Sequence, residues 1–447
     1  APKCWQDHFA DTLETLGGRR LKSEANVYFF PKIMHYVLVY VDDVMIIGNK
    51  PQITFDKIAE HLLLIYITNL VPGVEAKFLG RLLIHKGDYI VIAMTKEYIE
   101  NLLKDYGLSE CKAALAPGTS GRKTTDGVST LDAQGATNYR KGVGKLMWIT
   151  PIRPDIYFAV KELSRALREP TEDDLARLKH ALRYIAGTRD YNLTIRPTVT
   201  ANDHVETTCA VDSDWAGCHD TRKSTSGGVL RILGSAIHSY SRTQSSIATS
   251  SGEAELYAIG SGASEALGVA QFLQESKLAS TTSIKIETDS TAAKSIATRQ
   301  GTSKLTKHIQ LRFLYVQDLV KNGILSIVKV HTSVNPADAM TKHLTQHVLR
   351  RHLVNLGLWC EDGFDFGTQE AHVVNSTLHD SRKTFTIGMI TLSVDNSRDY
   401  DSIRATDYVC MYSGSNTILT ESSLPTTLSG LLDYRYWKIK QLCEPNK

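Results

Sequence analysis

The chain has 447 residues, 42% hydrophobic and 22% charged, with a formal net charge of only +3; this is ordinary for a folded protein of about two to four domains, and nothing global announces a polyanion partner. Seven scattered cysteines, never spaced Cys-x-x-Cys, exclude a disulfide framework and a thiolate zinc site and fit a reducing intracellular compartment. No uncharged apolar run reaches about 18 residues and no charged-then-apolar leader opens the sequence, so neither a membrane span nor a signal peptide is expected.

In chain order, residues 5–16 read as a helix and residues 27–30 as a short strand. Residues 35–48 then run apolar strand, acidic pair Asp42–Asp43, apolar strand. Taken blandly this is a hairpin with an Asp turn. Because the flanking strands are apolar on both faces, two adjacent carboxylates at their junction also call for a neutralising cation. Helical patterns at 53–66 and 96–106 flank a strand pair that turns at Lys86-Gly87-Asp88, and 116–134 is a Gly/Ser/Thr-rich linker. Residues 139–187 are mostly helical, with Leu163, Leu167, Leu175, Leu178, Leu182 and Ile185 at helix-compatible spacing, and read as a connecting region without chemistry. A polar boundary follows at 196–205.

From Thr208 the order is strand (208–212), strand (228–233), strand (236–240), long helix (252–275), strand (284–288), helices, strand (324–330) and a helix from Pro336. Short connections imply an antiparallel start, and strand–helix–strand thereafter implies parallel crossovers. The expected product is a mixed five-stranded sheet with flanking helices. Beyond about residue 360 the chain is rich in Asn, Ser, Thr and Asp with short β-like runs such as 385–394, and carries no motif. Residues 361–447 hold 8 Lys/Arg against 12 Asp/Glu, so a polyanion partner belongs to the first 360.

The chemistry concentrates on carboxylates at element ends. Asp212 follows an apolar strand directly, Glu253 and Glu255 open the long helix, Asp289 closes a strand, and Asp338 opens the last helix. Singly, each has a structural reading: turn residue, capping residue or helix-N-terminal charge. Together they are what a two-metal phosphodiesterase needs to hold ions about 3.5–4 Å apart. Ser250-x-x-Glu253 has capping-box spacing, so Glu255 is assigned to the site and Glu253 to the cap; Asp214 is assigned to a turn.

Ordered motifs along the chain resemble the Pol polyprotein of copia-type LTR retrotransposons. They are Tyr40-Val41-Asp42-Asp43, Phe78-Leu79-Gly80, Tyr139-Arg140, Gly144-Lys145-Leu146-Met147, Arg153-Pro154-Asp155-Ile156, Arg183-Tyr184-Ile185 and Gly187-Thr188. Further on come Ala210–Gly217, Ser224-Thr225-Ser226-Gly227, Glu253-Ala254-Glu255, Thr288-Asp289-Ser290, Lys307-His308-Ile309 and Ala337-Asp338 with Thr341-Lys342. The resemblance implies an α/β and α+β multidomain protein. Its parts would be a partial reverse transcriptase palm (1–50), a thumb/connection-like region (51–200), an RNase H-like domain (205–358) and a tail of unassigned role (359–447). It implies two-metal hydrolysis of the RNA strand of RNA–DNA hybrids by Asp212, Glu255, Asp289 and Asp338, with two Mg²⁺ ions for which Mn²⁺ can substitute. Asp42 and Asp43 are the implied metal ligands of the palm hairpin. Arg222, Lys223, Arg242, Lys304, Lys307 and His308 are the candidate nucleic-acid backbone contacts, each of which also reads as a solvated charge.

The family's upstream palm carboxylate has no counterpart in the roughly 40 residues before Asp42, so polymerisation by this chain alone is not expected. Tyr240, Thr243 and His343 stand where the family usually has Trp, Lys and Pro, departures that touch substrate contacts more than chemistry. The implied setting is a cytoplasmic particle or the nucleus. A catalytically inactive remnant that only binds nucleic acid is the competing expectation.

Overall fold

The computed structural model describes residues 2–41, 43–62, 64–119, 129–198, 203–218, 220–299, 301, 311–360 and 386–391. They fall into two compact units, one of Ala1–Ile90 with the strand Thr386–Thr391, the other beginning at Val91. No helix among the described residues is long and apolar enough to cross a membrane.

In the first unit, helix α1 (Pro2–Thr15) precedes strands β1 (Arg19–Arg20), β2 (Val27–Phe30), β3 (His35–Tyr40) and β4 (Asp43–Gly48). Helix α2 (Gln52–Ala59), strand β5 (Ile65–Leu70) and the hairpin β6 (Glu75–Phe78)–β7 (Arg81–His85) follow. Phe9 and Leu13 of α1 and Ile58 of α2 pack on Tyr28, Phe30, Val37, Val44 and Ile46, whose alternating strand positions supply the apolar face. Tyr40 pairs with Asp43, and Val41 next to Tyr40 takes φ 52°, a region costly for a β-branched residue. The helix expected over 53–66 stops at Ala59. The Ile65-Tyr66-Ile67 run is made of strand formers and enters β5 instead.

The tail contributes to this unit. Strand β16 (Thr386–Thr391) lies between β4 and β5, antiparallel to both, giving the sheet order β1-β2-β3-β4-β16-β5. The compact unit also continues to Ile90, past the boundary expected at residue 50.

The second unit, from Val91 of β8 (Ile90–Met94), continues with the helices α3 (Lys96–Asp105), α4 (Ala133–Ile149), α5 (Tyr157–Ser164) and α6 (Glu172–Gly187). Their starts follow from capping. Thr95 accepts from the Tyr98 N–H, Asp132 from the Gly135 N–H at 2.7 Å, and Thr171 with Asp174 forms a reciprocal capping box. Strand β9 (Asn192–Ile195) pairs with β15 (Leu358–Trp359), which follows α10 (Gln346–Leu353). Between them lies the sheet of β10 (His204–Asp214), β11 (Thr225–Ile232), β12 (Ser235–Thr243), β13 (Thr281–Thr288) and β14 (Leu325–Lys329). Helix α7 (Ser251–Glu275) makes the crossover to β13, and α8 (Thr291–Thr298) and α9 (Leu311–Lys321) precede β14. The order is β12-β11-β10-β13-β14, antiparallel for the first three and parallel across β10–β13–β14.

One apolar cluster joins Tyr139, Leu146, Leu178 and Leu182 of the helices to Val229 and Ala236 of the sheet and to Met340 and Leu349. The polar stretch at 196–205 is therefore a break in sequence character and not in the core.

The Arg153-Pro154-Asp155-Ile156 motif is a buried clamp. Arg153 binds Asp155 through Nε at 2.9 Å and Nη2 at 2.7 Å, and donates to the Thr188 carbonyl at 2.9 Å and its hydroxyl at 2.7 Å. Tyr184 donates its hydroxyl to Asp155 at 2.8 Å. Replacing Asp155 with Ala strands a guanidinium whose side chain is 4% exposed. The expected cost is about 3–5 kcal/mol, read as a lower urea midpoint. An unchanged midpoint would show the clamp to be dispensable.

Candidate metal centre

The site is built at the carboxyl ends of the adjacent parallel strands β10 and β13. Ala210 pairs with Glu287, so continuing the register by two residues sets Asp212 beside Asp289. Ser290 caps α8 immediately afterwards, its hydroxyl accepting from the Ala293 N–H at 3.1 Å, which fixes Asp289 at the strand–helix junction.

Glu255 arrives on the first turns of α7, which lies close over β10. Gly262 makes that approach possible, since a Cβ there would sit 2.5 Å from Val211 Cγ1 and 3.1 Å from Cys209 Sγ. One ligand atom each from Asp212, Glu255 and Asp289 lie within 4.8 Å of one another.

Asp338 comes from the other side. The helix expected from Pro336 is a single 3₁₀ turn, Pro336–Met340. Asn335 anchors it, donating through Nδ2 to the Val211 carbonyl at 2.9 Å while its Oδ1 accepts from the Ala337 N–H at 3.1 Å. The turn rests against Gly227, the residue opposite Asp212 on β11, where a Cβ would stand 2.5 Å from Met340 Cβ and 2.7 Å from Thr341 Cγ2. Thr341 donates its hydroxyl to Asp212, and Thr332 donates to Asp289 at 2.6 Å.

Burial first, and then the charges of Asp212 and Asp289, push the Glu255 carboxyl up to about 9. Burial and the charge of Asp212 push Asp338 up to about 6. The Glu255 Oε2 atom is buried and has no hydrogen-bond partner among the described residues. A buried carboxylate with an unpartnered oxygen, grouped with two further carboxylates, fits a cation, and an all-oxygen donor set suits a hard divalent ion such as Mg²⁺ or Mn²⁺.

Glu253 is engaged elsewhere. The Ser250 hydroxyl accepts from its N–H at 3.2 Å, as the capping spacing implies. Its carboxylate, expected at the Ser250 N–H, reaches the Thr249 N–H at 2.8 Å, the Thr249 hydroxyl at 2.7 Å and the Tyr257 hydroxyl. Asp214, expected in a turn, is instead the last residue of β10, where it pairs with Thr225 and accepts from the Thr225 N–H.

Of the other expected ligands, Asp43 is the half-buried first residue of β4, in the first unit, and Asp42 lies outside the described residues. Among the expected backbone contacts, Lys304, Lys307 and His308 also lie outside them. Arg222 is exposed at φ 53° and Lys223 is half-buried. Arg242 donates to Glu265 at 2.5 Å and lies 4.7 Å over the Tyr240 ring, so its charge is engaged within the protein. Tyr240 is fully buried, and His343 meets Phe158 edge-on at 4.9 Å, so both are packing residues here.

Lys342, Thr341, Thr332, Asn335 and Gly227 also belong to the site, beyond the carboxylates expected there. The i,i+4 spacing of Asp338 and Lys342 was the available signal for one of them.

The fold and site together define a mixed α/β protein with a carboxylate cluster suited to divalent metal. No family model matches the chain. The retrovirus-related Pol polyprotein from transposon RE1 of Arabidopsis thaliana is 29% identical over 371 residues, covering 80% of this chain and 24% of its own length. An uncharacterized mitochondrial protein of the same plant is 34% identical over 231 residues, 52% of this chain and 92% of that protein. Among solved structures, a foamy viral protease–reverse transcriptase in complex with double-stranded DNA is 12% identical, with a TM-score of 0.43 over 74% of this chain and 49% of that one. Over 76–80% of its length the chain is similar, at 28–29% identity, to retrovirus-related Pol polyproteins of transposons. It spans about a quarter of the length of the first curated relatives it matches.

Proposed function

We propose that the second unit contains an RNase H-type nuclease that cleaves the RNA strand of RNA–DNA hybrids. The observation that carries this reading is the convergence of Asp212, Glu255 and Asp289 from three separate elements to within 4.8 Å, with one buried Glu255 oxygen unpartnered. Similarity to the Pol polyproteins of transposons supports a nucleic-acid substrate. When bound, two divalent ions at such carboxylates supply an activated water and stabilise the attacking and leaving oxygens at phosphorus.

The chain's own residues do the rest. Thr341 and Thr332 orient the Asp212 and Asp289 carboxylates by hydrogen bonds. Asn335 and Gly227 fix the distance between the Asp338 turn and β10. Trp215, 54% exposed with its indole N–H tied to the Ala248 carbonyl at 3.1 Å, presents an anchored aromatic face beside the strand end to a sugar or base. Hybrid preference would come from reading 2′-hydroxyls and backbone shape, not base sequence.

The test is cleavage of end-labelled RNA in a hybrid by purified protein, with Mg²⁺ and with EDTA, beside duplex DNA and single-stranded RNA. Mg²⁺-dependent cutting confined to the hybrid is expected. Hybrid binding without cutting would favour an inactive remnant.

A further inference from the structure

Asp338 stands apart from the group formed by Asp212, Glu255 and Asp289, and a lysine bridges the two. Lys342 Nζ is 2.9 Å from Asp338 Oδ1 and 3.5 Å from Asp212 Oδ2. The two carboxylates are 8% and 4% exposed, whereas the Lys342 side chain is 46% exposed. The ammonium thus pairs with both carboxylates at the end of a side chain that is about half exposed.

Two carboxylates this buried repel each other unless a cation lies between them. A divalent ion shared by Asp212 and Asp338 would need the same oxygens, and would meet a like charge a few ångströms away. An ammonium and a divalent ion therefore compete for this gap.

Resting on the metal-centre reading above, we propose that Lys342 is an internal counter-cation occupying the place of one divalent ion between Asp212 and Asp338. The centre then fills in two unequal steps. Asp212, Glu255 and Asp289 would hold a first ion with Lys342 in place, and Asp212 with Asp338 would hold a second only with Lys342 displaced. Lysine suits this role better than arginine, being a point charge on a flexible stem with no fixed fork to break.

The experiment is Mn²⁺ titration calorimetry on the full chain at one near-neutral pH, with thermal melts in EDTA. It compares wild type, Lys342→Met, Lys342→Gln, Lys342→Arg and, as the metal-site control, Asp212→Asn. Wild type is expected to bind one Mn²⁺ tightly and a second more weakly. Removing the charge in Lys342→Met or Lys342→Gln is expected to tighten the second site by roughly tenfold or more. It should also lower the metal-free melting temperature and increase the gain from Mn²⁺. Lys342→Arg should keep unequal binding. Mn²⁺ binding that Asp212→Asn abolishes but both neutral variants leave unaltered removes the role of Lys342 and leaves the metal centre standing. Absence of Mn²⁺ binding in wild type overturns both.

Discussion

Glu255→Gln is expected to reduce Mg²⁺-dependent hybrid cleavage by about 10²-fold or more, while costing the metal-free fold little or nothing. The carboxyl is pushed up to about 9, so near neutrality it is already uncharged in the metal-free protein, and Gln reproduces that neutral shape. What Gln lacks is the anionic oxygen that a metal requires. The same shift gives a pH signature. Folding raises this carboxyl from an ordinary 4.5, so the folded chain binds more protons than the unfolded one between those values. That contribution to metal-free stability is complete below about pH 4.5 and is lost as pH rises through about 9. Metal affinity runs oppositely, rising with pH because the ion must displace the proton. Glu255→Gln should flatten both curves.

Glu253 provides the contrast two residues away. Its two oxygens accept from three donors, and Gln keeps only one acceptor oxygen among them. Glu253→Gln is expected to cost about 1–3 kcal/mol in a denaturation midpoint while the folded fraction still cuts. A dead Glu253→Gln beside an active Glu255→Gln would relocate the site on the other side of α7.

Gly227→Ala tests the geometry rather than the charges. A methyl there meets Met340 Cβ at 2.5 Å, Thr341 Cγ2 at 2.7 Å and the Ala337 carbonyl at 3.1 Å, so the turn carrying Asp338 must retreat from β11. Overpacking of this kind costs about 1–3 kcal/mol. Cleavage should fall further than that loss explains, because Thr341 and Asp338 move away from Asp212. Gly268→Ala is the control. It lies in α7 with nothing within 4 Å of its would-be Cβ, and should stabilise by about 0.5–1 kcal/mol with activity kept. Equal activity in the two variants would show that the position of the Asp338 turn does not matter to catalysis.

The antiparallel start of the second unit's sheet was legible because only Leu233 and Gly234 separate β11 from β12, too few residues for a crossover. The parallel half was legible because α7 between β12 and β13 leaves time for one. Asp212 and Asp289 could be read as site candidates because Asp212 directly follows an apolar run in the sequence and Asp289 directly follows the strand pattern at 284–288, and Ser250 announced the start of α7.

Sequence periodicity could not tell the strand 65–70 from the end of a helix, since a short apolar run satisfies both patterns until a partner strand pairs with it. Nor could it place the tail strand between β4 and β5, a pairing across more than three hundred residues.

Local sequence by itself therefore determined which residues end strands and open helices, because apolar period, caps and turns act over a few residues. The tertiary structure alone decided that Thr341 would hold Asp212 from 129 residues away, that Asn335 would hold the Val211 carbonyl from 124, and that Lys342 would bridge two carboxylates. Those contacts depend on how closely backbones approach at Gly227 and Gly262, and close approach is a property of packed elements in space, not of any window along the chain.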